Sequence, residues 1–159
     1  MAPLIALVVV TSLLLLAGAF GVRRLKPLPV ALRGGLAVMF VLTGGAHFVG
    51  LREELIAMVP PFLPAPGLLV TVTGVLELLG AAALLWSRTA GWSALGLTAM
   101  LVAMFPANVH KALSGPVPWD DQLVPRTLMQ VVFLAATITV ARYYLRRRHE
   151  SARVLVHRA

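Results

Sequence analysis

Apolar residues run along this chain in five long blocks, and polar residues gather between them. The blocks are roughly Leu4–Val22, Leu28–Val49, Gly67–Trp86, Trp92–Val109 and Thr127–Leu145. At about 1.5 Å per residue, each is long enough to cross the hydrocarbon core of a bilayer as a helix. Their ends carry matching punctuation. Pro27 opens the second block, Trp86 and Trp92 flank a short turn, and Tyr143 and Tyr144 close the fifth. The pattern predicts an all-α, polytopic membrane protein with a single transmembrane domain over residues 1–145. A basic tail follows at 146–159.

The stretch "GLREELIAMVPPFLPAPG" between the second and third blocks is more than a linker. Leu51 to Val59 is expected to form a short helix, with Arg52, Glu53 and Glu54 on one side. Leu55, Ile56 and Val59 then face the membrane or the bundle. Pro60, Pro61, Pro64 and Pro66 stop the helix and stiffen the return. The segment is either a rigid connector or a lid over a pocket.

Charge placement gives a direction. Arg23, Arg24, Lys26, Arg33, Arg88, Arg142, Arg146, Arg147, Arg148, Arg153 and Arg158 belong to one side of the membrane. Arg52, Lys111 and Arg126 belong to the other. Eleven basic residues against three, alternating from loop to loop, predicts the N-terminus outside and the C-terminus in the cytoplasm. Small residues at Ala17–Ala19 resemble a signal-peptide cleavage site. The basic residues, however, follow the first block and none precedes it, which favours a retained helix. The tail can anchor the topology beside anionic lipid or recruit a protein partner.

Composition supports the bilayer as solvent. Of 159 residues, 59% are hydrophobic, and the mean hydropathy is +0.89, too apolar for the surface of a soluble domain this size. The net charge of +8 forms no stripe along a face, so it argues for lipid and against nucleic acid. With no Cys, thiol catalysis and cysteine-ligated metal are excluded within the chain. The preference for Ala, Leu, Val, Gly and Arg suggests a bacterial origin and hence the cytoplasmic (inner) membrane.

Against this apolar background, a few polar side chains stand out. Glu77 lies mid-block in "VTVTGVLELLG", about 15 Å from the outer end. Its helical face carries Thr73, Gly74, Gly80 and Ala81, small or weakly polar residues that let helices approach, so the carboxyl is expected to point inward. His47 shares a face with Thr43 and Gly44. Asn108 follows Pro106, whose missing N–H frees a carbonyl. Arg126 opens the fifth block, and Gln130 stands one turn on. His47, Asn108 and Gln130 lie within about 5 Å of the outer interface. Because helical side chains lean toward their N-termini, Glu77 tilts outward while His47 and Asn108 tilt inward, toward one layer. Glu77 and His47 are the candidate catalytic residues, with Asn108, Thr73, Gln130 and Arg126 as ligand-binding candidates. Each has a structural alternative: helix lock, local cap, clamp of the Pro106 break or headgroup contact. His110 lies about 200° around its helix from Asn108, which disfavours a haem held with His47. A His/Glu metal site lacks a third ligand.

Three stretches, "GGAHF", "VPPFLPAPGLLVTVTGVLELLGAAALL" and "MFPANVHKAL", resemble in kind and order the DoxX-like family of small bacterial membrane proteins. The resemblance spans roughly Leu32 to Leu145. It implies a four-helix transmembrane core at about 28–145, to which the first helix is an addition. It also implies a link to redox chemistry, since the family takes its name from a membrane subunit of a thiosulfate:quinone oxidoreductase. The expected function is therefore a membrane component of a redox-linked or respiratory system, with an outward pocket for a small apolar or quinone-like ligand. A non-catalytic assembly subunit and a small-molecule or proton transporter are the alternatives. The lipid bilayer, a protein bound at the tail and further copies of the chain are the expected partners.

Overall fold

The computed structural model describes residues 1–156. Six α-helices account for most of them: α1 (Ala2–Ala19), α2 (Leu28–Ala46), α3 (Arg52–Met58), α4 (Pro66–Leu84), α5 (Ala90–Leu113) and α6 (Leu123–Val156). Short 3-10 turns at Arg23–Leu25 and Trp119–Asp121 join α1 to α2 and α5 to α6. No strand occurs among the described residues. All helices except α3 are long and apolar enough to cross a membrane.

Each predicted block corresponds to one of these helices, and the ends shift for physical reasons. Pro66 does not stiffen the loop. It is the first residue of α4, where its missing N–H costs nothing because no intrahelical acceptor exists there. α5 runs straight through Pro106 to Leu113, a turn beyond the predicted end. α6 begins earlier, at Leu123, with Pro125 in its first turn, and continues through the start of the basic tail. Residues 157–159 of that tail, including Arg158, lie outside the described residues.

α2 packs against α1, α4 and α6, while α5 packs against α4 and α6. α2, α4, α5 and α6 thus contact one another in a closed cycle, and α1 lies against α2. Leu36 and Phe40 of α2, Leu84 of α4 and Val140 of α6 are fully buried at the centre. The outer faces stay apolar: Val8 and Leu13 on α1, Leu79 on α4, Val102 on α5 and Val131 on α6 are all exposed. Apolar side chains on both sides of a helix suit a lipid environment.

With hydrocarbon outside, burying more hydrocarbon gives little drive for helix association, so close backbone approach has to supply it. Glycines provide the notches. Gly35 of α2 receives Thr11 and Leu7 of α1, Gly80 of α4 receives Leu97 of α5, and Gly91 of α5 receives Leu145 of α6. Hydrogen bonds between helices add to this. Ser93 Oγ donates to the Gly80 carbonyl at 2.7 Å, and Gln130 Nε2 donates to the Leu101 carbonyl at 2.7 Å.

Candidate functional site

The contact between α2 and α4 is built from two short motifs read in opposite directions. In α2, Gly44 precedes His47 by three residues; in α4, Gly74 precedes Glu77 by three. The pairing is reciprocal. A β-carbon added at Gly44 would sit 3.0 Å from Glu77 Cβ, and one at Gly74 would sit 2.9 Å from His47 Cγ. Each polar stem therefore packs on the other helix's glycine, and the two side chains lie about one turn apart in one dry seam. Both residues are only 3% exposed.

His47 ends α2, where carbonyls lack intrahelical donors. Its Nδ1 lies 2.9 Å from the Thr43 carbonyl. A carbonyl only accepts, so Nδ1 carries a proton, which turns Nε2 toward any further partner. The Thr43 side chain approaches the Glu77 carboxyl from the same turn of α2. Glu77 Oε2 is buried with no hydrogen-bond partner. An orphaned carboxyl oxygen is costly, and it is the polar atom here best placed to receive something from outside the chain.

Arg52 fixes the end of this seam. Its guanidinium donates to the His47 carbonyl at 3.1 Å, the Gly67 carbonyl at 3.3 Å and Thr71 Oγ1 at 2.9 Å. The side chain is half-buried and staples the end of α2 to the start of α4. Glu53 and Glu54, expected on the same side of the helix, stay exposed while Arg52 turns to these acceptors. The reason is local: the carbonyls at the end of α2 need donors, and a planar guanidinium can serve several acceptors at once. Met58 is the side chain of α3 that becomes buried.

Asn108 and Arg126 belong to a second polar group at the same end of the molecule. Arg126 donates through Nη1 to Asn108 Oδ1 and through Nη2 to Asp121 Oδ1 at 2.6 Å. Lys111 pairs with Asp121 at 2.8 Å and also with Glu54 of α3. A chain of contacts, Glu54–Lys111–Asp121–Arg126–Asn108, thus links α3, α5 and the start of α6. Burial raises the Asp121 carboxyl's affinity for its proton, but the hydrogen bonds and charges of Lys111 and Arg126 outweigh that and hold its pKa below the ordinary 3.8.

The remaining candidates are committed to backbone. Thr73 Oγ1 donates to the Leu69 and Val70 carbonyls of its own helix. Gln130, 8% exposed, serves the Leu101 carbonyl, adjacent to the Val102 carbonyl whose usual donor Pro106 lacks. Packing and hydrogen bonding thus sort the six candidates: His47 and Glu77 pack in one seam, Asn108 bonds Arg126, and Thr73 and Gln130 serve helix carbonyls. Asp121 does not stand out in the sequence as a site residue, and Lys111 and Glu54 are placed there by charge and position alone. Four acidic residues, Glu53, Glu54, Asp120 and Asp121, lie in the two loops at this end and were the available signal.

A cavity of about 480 Å³ opens between α4 and α5, lined mainly by Leu76, Gly80, Trp92, Gly96, Leu97 and Met100. None of the six candidates lines it. Leu76 and Gly80 lie within about 100° of Glu77 around α4, so the groove begins beside the seam on the lipid side. Among the described residues, no group of three or more His, Asp or Glu side chains is arranged to hold a metal ion.

Five apolar helices around a buried His–Glu seam define a helical, multi-pass membrane protein. The chain belongs to the family described as domain of unknown function DUF8561, whose model matches residues 36–141, from α2 into α6. No curated protein and no solved structure matches it.

Proposed function

We propose that this chain is an integral component of a redox-linked or respiratory system in a bacterial inner membrane, and that the His47–Glu77 seam binds a small apolar or quinone-like ligand. One observation carries the reading: a carboxyl oxygen of Glu77 is buried without a partner, next to a histidine whose Nδ1 is held by the Thr43 carbonyl. A ligand with a carbonyl or hydroxyl head would complete that hydrogen bond. Glu77 would hold or exchange a proton at Oε2, His47 would do so at Nε2, and Thr43 would orient the carboxyl. The α4–α5 groove beside Glu77 offers space for an apolar tail. Quinones fit this donor set and these apolar surroundings, and bound quinone would supply the electron-transfer chemistry. The likeness of "GGAHF", "GVLELLG" and "MFPANVHKAL" to DoxX-like proteins points the same way.

The proposal includes a four-helix core of α2, α4, α5 and α6, with α1 added, the N-terminus outside and the C-terminus in the cytoplasm. The eleven-to-three division of basic residues supports this orientation. Because the chain has no Cys, single cysteines at Ser87 and Ser114 test it in intact cells. An impermeant reagent should label only the one at Ser114; labelling at Ser87 contradicts the orientation.

The ligand test is quinone-analogue binding to protein purified in mild detergent. Wild type should bind and Glu77→Gln should bind at least about tenfold more weakly, the loss of roughly 1.4 kcal/mol expected for one strong hydrogen bond. Equal, negligible binding by both proteins refutes the reading. A specific observation favours a second reading, a non-catalytic assembly subunit: Asn108, Arg126, Thr73 and Gln130 are all engaged within the chain. A stable protein partner with no small ligand would favour it.

A further inference from the structure

At the other end of the molecule, the contact between α2 and α6 holds an arrangement that the His47–Glu77 seam does not use. Arg33 lies five residues into α2, about 8 Å below the helix's first residue. Its guanidinium carbon sits 5.1 Å from the centre of the Tyr144 ring. Arg147 lies 4.9 Å over Tyr143. The two rings meet edge to face, with centres 5.1 Å apart and planes at 84°. Each arginine thus lies over a tyrosine ring, the two rings brace each other at right angles, and Arg33 and Tyr144 are both half-buried.

A cation–π contact uses the guanidinium's charge and leaves its N–H donors available for an anion. Among the described residues, no carboxylate forms an ion pair with Arg33. The described side chains at this end carry Arg23, Arg24, Lys26, Arg33, Arg88, Arg142, Arg146, Arg147 and Arg148, against Glu150 alone. No counter-charge for Arg33 comes from the described residues, which leaves its charge open to an anion from outside. At a membrane surface, the anion that matches the guanidinium fork is a phosphate, whose oxygens accept two parallel N–H bonds.

We propose that Arg33, held over Tyr144 and braced by the neighbouring Tyr143 ring, forms a binding site for the phosphate of an anionic phospholipid. Arg33 grips the phosphate through its in-plane donors. Tyr144 holds that guanidinium at a fixed depth, and the Arg23–Lys26 turn adds longer-range attraction. The site is distinct from the ligand seam and stands whether or not that seam binds a quinone.

The test is lipid binding to purified, delipidated full-length protein, read by native mass spectrometry. The probes are phosphatidylglycerol, phosphatidylcholine and soluble glycerol phosphate. Phosphatidylglycerol should bind in preference to phosphatidylcholine, and glycerol phosphate should not compete. Arg33→Gln should weaken phosphatidylglycerol binding about tenfold, as expected for a charge-assisted pair. Arg33→Lys, which keeps the charge and the helix but loses the fork, should weaken it by a smaller factor. Arg88→Gln removes one charge at the same end and should change little. Equal losses in Arg33→Gln and Arg88→Gln would overturn the proposal in favour of diffuse attraction. Undiminished binding by Arg33→Lys would remove the bidentate grip. Equal affinity for glycerol phosphate would mean a free anion and not a lipid.

Discussion

The α2–α4 seam and the ionic chain above α5 and α6 hold similar kinds of side chain in opposite states. In the ionic chain each charge meets an opposite charge: Glu54 meets Lys111, Lys111 and Arg126 share Asp121, and Arg126 also takes Asn108, leaving only its Nε without a partner. In the seam, Glu77 is 3% exposed and one of its oxygens has no partner. Paired charges near an interface hold loops and helix ends in place and are worth little individually. An orphaned carboxyl in a dry seam destabilises the fold unless something binds it. Polar residues that cluster at one end of a membrane protein therefore need not share a function. The question of what each one lacks separates them.

The largest expected effect comes from closing the seam itself. Gly74→Leu drives a side chain into His47 and Phe48, which already lie within 3 Å of where a β-carbon would stand. Overpacking of this kind should cost about 1–3 kcal/mol in unfolding experiments in detergent, and ligand binding should vanish with it. An unchanged midpoint would mean that α2 and α4 do not meet through these glycines. A smaller effect is expected in the ionic chain. Asp121→Asn should cost less than about 1 kcal/mol at neutral pH and leave ligand binding intact. The smallest effect is its pH dependence. Asp121 has a folded pKa below the ordinary 3.8, so its contribution is present above that value and is lost as pH falls through the folded pKa. Wild type should therefore lose stability on acidification slightly more steeply than Asp121→Asn. Parallel curves would deny Asp121 its pairing, and loss of ligand binding in Asp121→Asn would merge the two regions.

Much of the seam was legible in the sequence because helical spacing alone groups Gly74 with Glu77 and Gly44 with His47. Small residues on a carboxyl's own face predict an inward-pointing carboxyl wherever helices must approach closely. The five spans were legible for the same reason, since apolar runs of this length have few other uses. The partners of Arg126 and Lys111 were not, because they depend on how the Trp119–Asp121 turn folds back over α5. No periodicity reports where such a turn lies. The sequence put Arg52 on one side of the short helix with Glu53 and Glu54 but could not show what it bonds. The carbonyls it serves belong to α2 and α4, and only packing brings them within reach. The α4–α5 groove was equally invisible, because its shape depends on how far Gly80 lets Leu97 approach and on the open space at Gly96.

The most direct test of the central claim compares one residue from each region in a single assay. Glu77→Gln and Asn108→Ala are titrated with a quinone analogue beside wild type, and a thermal unfolding scan confirms that each variant is folded. Glu77→Gln should lose at least about tenfold in affinity while Asn108→Ala stays within about twofold of wild type. Retained affinity in Glu77→Gln with loss in Asn108→Ala would contradict it and move the ligand to the ionic end.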